Sequence, residues 1–204
     1  MSLFHAVEEM DLTVEEVDKL TGPVLGRPKS ATFRTCDVVG LDTLVHVANG
    51  LTENCPDDEE RESFKLPAYV QKMVDNNWLG SKSNQGFYKK TKVDGKKEIL
   101  TLDLKTMEYR SKARADFPIL AATKAVDDLA ERTRMLYNSK DKAGDFFKKL
   151  FSGLFSYVSH RIPEISDEVY KVDDALKAGF GWELGPFETW DAIGVERAVN
   201  RMKD

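Results

Sequence analysis

The chain has 204 residues, enough for one large domain or two small ones. Hydrophobic residues make up 41% and charged residues 32%, a balance typical of a soluble globular protein. No apolar run reaches the roughly 18 residues of a membrane span, and the first ten residues do not have the pattern of a signal peptide. The net charge of −5 argues against nucleic acid as the main partner, because phosphate binding requires a basic surface.

Apolar residues at helical spacing predict helices through most of the chain. The first clear start is Thr13-Val14-Glu15-Glu16, a capping-box pattern, and this helix is expected to end near Gly22-Pro23. The next helix is predicted over residues 30–39, with Gly40 as a left-handed C-cap. Further helices are predicted over residues 41–50 and 66–77. Cys36 and Cys55 share no metal-binding or redox spacing and are expected to be free thiols.

Residues 86–110 have a different pattern, that of a β-hairpin. Alternating residues on either side of Asp94-Gly95 predict two strands joined by a tight turn. Five lysines make this hairpin basic: Lys89, Lys90, Lys92, Lys96 and Lys97. A CoA phosphate, an RNA or a membrane headgroup are hypotheses for this patch. The alternative is a solvated hairpin whose charges prevent edge-to-edge pairing.

Long helices resume over residues 119–137 and 145–160, and Pro163 ends the second of them. The run of aromatic and aliphatic residues at 146–155 is interpreted as helix core, with an exposed face or a dimer seam as the alternative. The sequence therefore predicts a mainly α fold with one small β-hairpin insertion. We expect two domains, residues 1–110 and residues 111–204.

An internal repeat supports this division. When Asp18 is aligned with Asp173, Gly26 falls on Gly181. After one residue of slip, Phe33 falls on Phe187, Asp37 on Asp191, and Gly40 on Gly194. Both copies then have the order helix, glycine turn and short helix, which predicts one helical unit used twice.

The motif residues of the repeat are assigned structural roles. They are Gly26, Phe33, Asp37 and Gly40 in the first copy, and Gly181, Gly185, Pro186, Phe187, Asp191 and Gly194 in the second. Pro186 suits the first position of a helix, where its missing N–H costs nothing. The carboxylates of Asp37 and Asp191 are predicted to accept hydrogen bonds from the first amides of the next helices, at residues 41–44 and 195–198. The alternative is that they are solvent-exposed acids. The Phe and Asp side chains of both copies are expected to pack inward.

Three segments carry a resemblance to a known family. Residues 181–194, Gly-Trp-Glu-Leu-Gly-Pro-Phe-Glu-Thr-Trp-Asp-Ala-Ile-Gly, resemble the signature of the 3-hydroxyacyl-CoA dehydrogenase C-terminal domain. Residues 26–42 resemble a divergent first copy, and Lys82-Ser-Asn-Gln-Gly86-Phe87-Tyr88 resembles the segment that follows it. The resemblance implies two tandem C-terminal domains of a long, multifunctional member. It implies a piece of a longer protein, without the NAD-binding domain.

The resemblance also implies a function. The parent would oxidise a (S)-3-hydroxyacyl-CoA with NAD in fatty-acid β-oxidation, in the cytoplasm. Its catalytic His–Glu pair would lie in the absent nucleotide-binding domain, so no catalytic residue, bound cofactor or metal is expected here. His5, His46 and His160 are scattered and are interpreted as surface or packed residues. The acyl-CoA substrate would be shared with the absent domain. A homodimer is an expected partner; nucleic acid and membrane are not.

Two points stay open at this stage. Arg27, Pro28 and Lys29, in the first glycine turn, are substrate-binding candidates, although surface charges beside a turn explain them equally well. The alternative function is a non-catalytic helical module for assembly or dimerisation. Gly179-Phe-Gly181-Trp-Glu-Leu-Gly185 is close to a Gly-x-Gly-x-x-Gly motif, but it has one residue too many and follows a helical pattern. We therefore do not interpret it as a nucleotide site.

Overall fold

The computed structural model describes residues 1–93 and 95–203, and for Val93 it describes the backbone alone. Asp94, in the predicted hairpin turn, lies outside these residues. The fold is mainly helical with one small antiparallel sheet, which confirms the predicted class. The chain divides into two compact units, one formed by residues 1–19 and 30–115 and the other by residues 20–29 and 116–204. The second unit thus includes a short segment from early in the sequence.

The first unit contains most of the early helices and the sheet. Its helices are α1 (Ser2–Glu9), α2 (Val14–Thr21, whose last two residues group with the second unit), α3 (Phe33–Val39), α4 (Leu41–Asn54), α5 (Arg61–Phe64) and α6 (Ala68–Asp75). Its strands are β1 (Tyr88–Val93), β2 (Lys96–Leu102) and β3 (Tyr109–Ser111), in the order β1-β2-β3.

The described residues of the second unit form helices joined by loops and contain no strand. It begins with a 3₁₀ turn at Pro23–Leu25 and continues with α7 (Pro118–Ala122), α8 (Leu129–Asn138), α9 (Lys142–His160), α10 (Val169–Phe180), α11 (Pro186–Ile193) and α12 (Val195–Lys203). None of the helices in residues 1–93 and 95–203 is both long and apolar enough to cross a bilayer.

Local sequence explains several helix boundaries. The Thr13 N–H donates to Glu16 Oε2 at 2.8 Å and the Glu16 N–H donates to Thr13 Oγ1 at 3.3 Å, so the predicted capping box at α2 is confirmed. Gly40 ends α3 with φ 105° and ψ 132°, which is a positive φ but not the predicted left-handed helical conformation. Its extended ψ lets the chain enter α4 directly. That helix runs past Gly50, so the predicted end there is wrong.

The long helix predicted over residues 119–137 is also wrong, because it is interrupted between α7 and α8. The side chain of Asp128 accepts a hydrogen bond from the Glu131 N–H at 2.6 Å and starts α8 as a new helix. An aspartate satisfies this role because its oxygen accepts from the otherwise unpaired amides of a first turn. Asp141 does the same for α9, accepting from the Gly144 N–H at 3.0 Å.

Aromatic side chains form the centre of each unit. In the first unit the ring of Phe33 lies 4.4 Å from that of Phe87 and 5.6 Å from that of Phe4, and all three are buried. In the second unit α9 contributes a row of stacked rings that reaches α11. Ring centroids are 6.0 Å apart for Phe147 and Phe151, 5.7 Å for Phe151 and Phe155, and 4.8 Å for Phe155 and Trp190. The 146–155 run is therefore core, as interpreted from the sequence.

Candidate functional site

The two glycine turns of the repeat have the same backbone conformation. Gly26 and Gly181 both have φ 64° and ψ 34°, the left-handed helical region. This region disfavours residues with a Cβ, which explains a glycine at both positions. Gly40 and Gly194 also correspond, with φ 105° and 101°. The two segments therefore share the backbone conformation of their glycines.

The two turns pack directly against each other within the second unit. The Glu183 N–H donates to the Gly26 carbonyl at 2.9 Å. The guanidinium carbon of Arg27 lies 3.8 Å from the centre of the Trp182 ring, a cation–π contact. Pro28 Cγ lies 3.5 Å from the position a Cβ on Gly181 would occupy. We call this arrangement of residues 26–29 and 181–183 the glycine-turn cluster.

Arg27 is the charged centre of the glycine-turn cluster. Its side chain is half-buried, and burial lowers its pKa to about 10, so that it stays charged at neutral pH. Among the residues that the structure describes, no carboxylate lies within ion-pair distance of its guanidinium. Lys29, the other predicted cation, is exposed two residues away. The structure therefore brings Arg27 and Pro28 into one packed cluster and leaves Lys29 on its exterior.

Two aspartates that the alignment matched, but to which sequence reasoning gave no role, are the caps of the repeat. Asp18 accepts from the N–H groups of Thr32, Phe33 and Arg34 at 3.1, 2.6 and 3.1 Å. In the second copy, Asp173 accepts from the amides at the start of α11, Phe187 N at 2.8 Å and Glu188 N at 3.1 Å. Each carboxylate thus ties the longer helix of a copy to the start of its shorter one. Their exact match in the alignment was the available signal.

Asp37 is buried as predicted, but its hydrogen-bond partners are not those predicted. Its oxygens accept from the Phe87 N–H at 2.8 Å and the Tyr88 N–H at 2.9 Å, where β1 begins. Burial raises the pKa of Asp37 to about 6, against the opposing effect of these two amides and of the Arg34 guanidinium 3.9 Å away. The first turn of α4 was the wrong partner because it is the next element in sequence, whereas β1 is the neighbour in space.

The same prediction is wrong for Asp191 in the second copy. Its side chain is exposed, and the described part of the chain provides it with no hydrogen bond from residues 195–198. Phe187 is half-buried, whereas Phe33 is completely buried. The expectation that both copies turn their Phe and Asp side chains inward is therefore correct for the first copy and wrong for the aspartate of the second.

The Gly86-Phe87-Tyr88 segment explains why Asp37 matters. A Cβ on Gly86 would collide with Asp37 Oδ1 and would lie 2.6 Å from Gly80 Cα. Phe87 fills the core, and the Tyr88 hydroxyl donates to Asp18 Oδ2 at 2.7 Å. Asp18 and Asp37 therefore join α2, α3 and β1 into one hydrogen-bonded group, which is the structural meaning of this motif.

The residues present do not fit a dinucleotide. A Rossmann-type cradle requires a glycine-rich turn between a parallel strand and a helix whose first amides face the pyrophosphate. Here Gly181 follows helix α10, Gly185 packs against Asp173, and the sheet of the described residues is antiparallel. The first amides of α11 already bind the Asp173 carboxylate.

Metal-ligating groups do not converge within residues 1–93 and 95–203, where no cluster of three or more His, Cys, Asp or Glu residues is placed to hold an ion. The three histidines lie on separate helices: His5 on α1, His46 on α4 and His160 at the end of α9. Cys36 and Cys55 are free thiols.

The capping role of Asp173 is testable with a matched control. Asp173→Ala removes two hydrogen bonds to the first turn of α11 and should lower the free energy of unfolding by about 1–2 kcal/mol. Asp191→Ala, on the exposed side of the same helix, should change it by less than about 0.5 kcal/mol. Urea unfolding followed by circular dichroism measures both. Equal effects would contradict the assignment of Asp173 as the cap.

The fold and the glycine-turn cluster define a mainly helical protein with a duplicated helix, glycine turn and short helix. Residues 1–90 match the family described as 3-hydroxyacyl-CoA dehydrogenase, C-terminal domain. This match covers the copy that the sequence motifs suggested was the more divergent. Residues 1–90 therefore carry the C-terminal domain of the 3-hydroxyacyl-CoA dehydrogenase family, which confirms the resemblance.

Individual relatives agree. A probable 3-hydroxyacyl-CoA dehydrogenase of Bacillus subtilis (strain 168) is 43% identical over 204 residues, covering 98% of this chain and 25% of that protein. A putative fatty acid oxidation complex trifunctional enzyme of Rickettsia prowazekii (strain Madrid E) is 24% identical over 185 residues, 90% of this chain and 24% of that protein. A 3-hydroxybutyryl-CoA dehydrogenase of Mycobacterium tuberculosis (strain ATCC 25618 / H37Rv) is 38% identical over 93 residues, which cover 43% of this chain and 29% of that protein.

These relatives are much longer than the chain, which spans 24–29% of their lengths. No solved structure matches it.

Proposed function

We propose that the chain is the C-terminal part of an NAD-dependent (S)-3-hydroxyacyl-CoA dehydrogenase of fatty-acid β-oxidation. The observation that carries the proposal is the 43% identity to a probable 3-hydroxyacyl-CoA dehydrogenase over nearly the whole chain. Hydride transfer and proton abstraction would take place in a nucleotide-binding domain elsewhere in the longer protein. The chain by itself would then be inactive, because its described residues do not form a dinucleotide cradle.

The glycine-turn cluster would supply the wall on the substrate side. Arg27 offers a charged, half-buried guanidinium held in place by Trp182, and Lys29 offers a second, exposed cation. A positioned cation is suited to an anionic acyl-CoA because less side-chain entropy is lost when the ligand binds. Pro28 stiffens the turn between them.

A packing role is the second candidate function, and a specific observation favours it. Val38 and Val39 at the end of α3 are 62% and 56% exposed, and Phe180 at the end of α10 is 61% exposed. Clustered apolar residues on a surface mark interaction sites. We propose that such faces contact other domains of the longer protein or a second copy in a homodimer. An inactive assembly module and a part of the enzyme are compatible roles.

The remaining parts of the proposal follow from the family. NAD would bind the parent through its nucleotide-binding domain, and the acyl-CoA substrate would be shared between that domain and this one. We propose a cytoplasmic location, with neither nucleic acid nor membrane as a partner.

The proposed function is tested by supplying the domain that the chain lacks. Oxidation of NADH with acetoacetyl-CoA should be undetectable for the chain alone. It should appear when the chain is mixed with the nucleotide-binding domain of its parent. Turnover by the isolated chain would overturn the assignment of the chemistry to another domain.

A variant pair then tests the glycine-turn cluster in the mixed system. Trp182→Ala releases the Arg27 guanidinium and should lower kcat/KM for acetoacetyl-CoA about tenfold or more, by analogy with other losses of a positioned group. Tyr170→Ala, which removes an exposed aromatic ring at the start of α10, should leave kcat/KM within about twofold. If both variants behave as the unmodified chain does, the cluster does not form part of the substrate wall.

A further inference from the structure

Four lysines lie on one face of the sheet, three from the hairpin and one from just after β3. Side chains of directly paired residues project from the same face of a sheet, and the register pairs Lys90 with Ile99 and Lys92 with Lys97. Lys112, just after β3, belongs to the same side, because its Nζ lies 5.6 Å from the ring of Tyr88, which precedes Lys90 by two positions in β1. We call Lys90, Lys92, Lys97 and Lys112, together with Ile99, the lysine face.

The charges of the lysine face are not neutralised by the sheet itself. All four lysines are exposed, and within residues 1–93 and 95–203 none of them lies within ion-pair distance of a carboxylate. The acid nearest in sequence, Glu98, pairs with Thr91 and therefore projects from the opposite face, where it accepts from Ser111 Oγ at 3.0 Å. The chain as a whole has a net charge of −5, so this local excess of positive charge opposes the overall composition.

The arrangement has an energetic cost when no anion is present. Like charges directly opposite one another destabilise an antiparallel pair, and Lys92 and Lys97 are such a pair. Their Cβ atoms lie about 5 Å apart in this geometry, and Lys90 precedes Lys92 by about 7 Å along the strand. An anion with several charges would remove the repulsion, since long lysine stems let the ammonium groups converge on it.

The dimensions of the lysine face favour a small anion over a polymer or a membrane. The Cβ atoms at its core span about 7 Å by 5 Å, too short a distance to follow several nucleotides of a strand. The acidic chain around it would repel a polyanionic strand or an anionic bilayer. Ile99, half exposed at the centre of the face, offers an aliphatic contact for a flat ring.

We propose that the lysine face binds the phosphates of the adenosine 3′,5′-bisphosphate end of coenzyme A, with the adenine against Ile99. The inference rests on the proposed function insofar as that function makes an acyl-CoA the substrate. It assigns to the hairpin a subsite for the nucleotide end of the substrate. The lysines hold phosphates here and take no part in the chemical step.

Calorimetric titration of the full chain with adenosine 3′,5′-bisphosphate, and separately with coenzyme A, tests the proposal at low salt. Saturable one-to-one binding that weakens as salt rises is expected. Lys92→Gln combined with Lys97→Gln should lower the affinity at least tenfold. The matched control, Lys96→Gln combined with Lys72→Gln, removes the same charge away from the lysine face and should change the affinity less than twofold.

Thermal unfolding separates binding from folding, because the Lys92→Gln/Lys97→Gln chain loses a like-charge pair and should melt no earlier than the original. Absence of saturable binding, or an equal loss of affinity in both double variants, would contradict the proposal. So would binding to phosphatidylserine vesicles or heparin that coenzyme A does not displace. If the unmodified chain does not bind coenzyme A but the mixed dehydrogenase assay shows activity, the result counts against the lysine face alone. Inactivity of the mixture with binding intact would count against the proposed function.

Discussion

Gly86→Ala is expected to lower the free energy of unfolding by about 3 kcal/mol or more. The added methyl group would occupy the position of Asp37 Oδ1 and would lie 2.6 Å from Gly80 Cα. Neither neighbour can move away easily. The Asp37 carboxylate is held by two backbone amides, and the Gly80 contact is a backbone atom of a residue with φ 95°. Overpacking of this kind costs 1–3 kcal/mol in ordinary cores, and here it also breaks hydrogen bonds to a buried carboxylate.

Chemical unfolding measures this loss, and Gly50→Ala provides the control in the same unit. Gly50 lies within α4 with nothing within 4 Å of the added Cβ. Alanine has a higher helix propensity than glycine, so Gly50→Ala should raise stability by up to about 1 kcal/mol. A Gly86→Ala chain as stable as the original would mean that the Asp37 carboxylate is not held where the structure places it.

Asp37→Asn is expected to remove a pH dependence of stability. Burial raises the pKa of Asp37 to about 6 in the folded protein, compared with about 3.9 in an unfolded chain. Below about pH 4 the carboxyl is protonated in both states. As the pH rises through 6 the folded protein must hold the charge at a cost that the unfolded chain does not have. The Asp37 contribution is therefore present at low pH and lost as the pH rises, by up to about 3 kcal/mol.

The measurement is the difference in unfolding free energy between the original chain and Asp37→Asn, taken at pH 4 and at pH 7. The difference should favour the original chain more at pH 4 than at pH 7. Asp18, whose pKa is also raised by burial, titrates in both proteins and largely cancels. A constant difference for Asp37→Asn across this range would contradict the buried, raised-pKa carboxyl.

Short-range patterns predicted the elements that depend on adjacent residues. The capping box at Thr13, the hairpin strands on either side of residues 94–95, and the helix start at Pro186 all appear where the sequence placed them. The wrong long helix over residues 119–137 has a clear cause. Apolar periodicity continued across Asp128, but an aspartate that caps its own helix ends one element and begins another. A periodic pattern does not register this change.

The glycine-turn cluster shows the same limit of local sequence patterns. Alignment of the copies found the glycine turns and matched Asp18 with Asp173, but it did not reveal that these two aspartates are the caps. It also did not reveal that residues 26–29 and 181–183 pack against one another, because the contact joins segments more than 150 residues apart. The unpaired Arg27 was recognisable as a candidate; its stacking on Trp182 was not.

The sequence by itself determined the resemblance to the family, the mainly helical fold and the positions of the two matching glycine turns, since each depends on local residue identity. The tertiary structure decided what each copy does with that local unit. Asp37 is buried because β1 supplies two amides, and Asp191 is exposed because the second copy has no such strand among the described residues. Conversely, Val39 is exposed, whereas its counterpart Ile193 is buried on α11, where Arg134 of α8 donates to the neighbouring Ala192 carbonyl. Burial depends on which element lies alongside in space, and that information is not local to either copy.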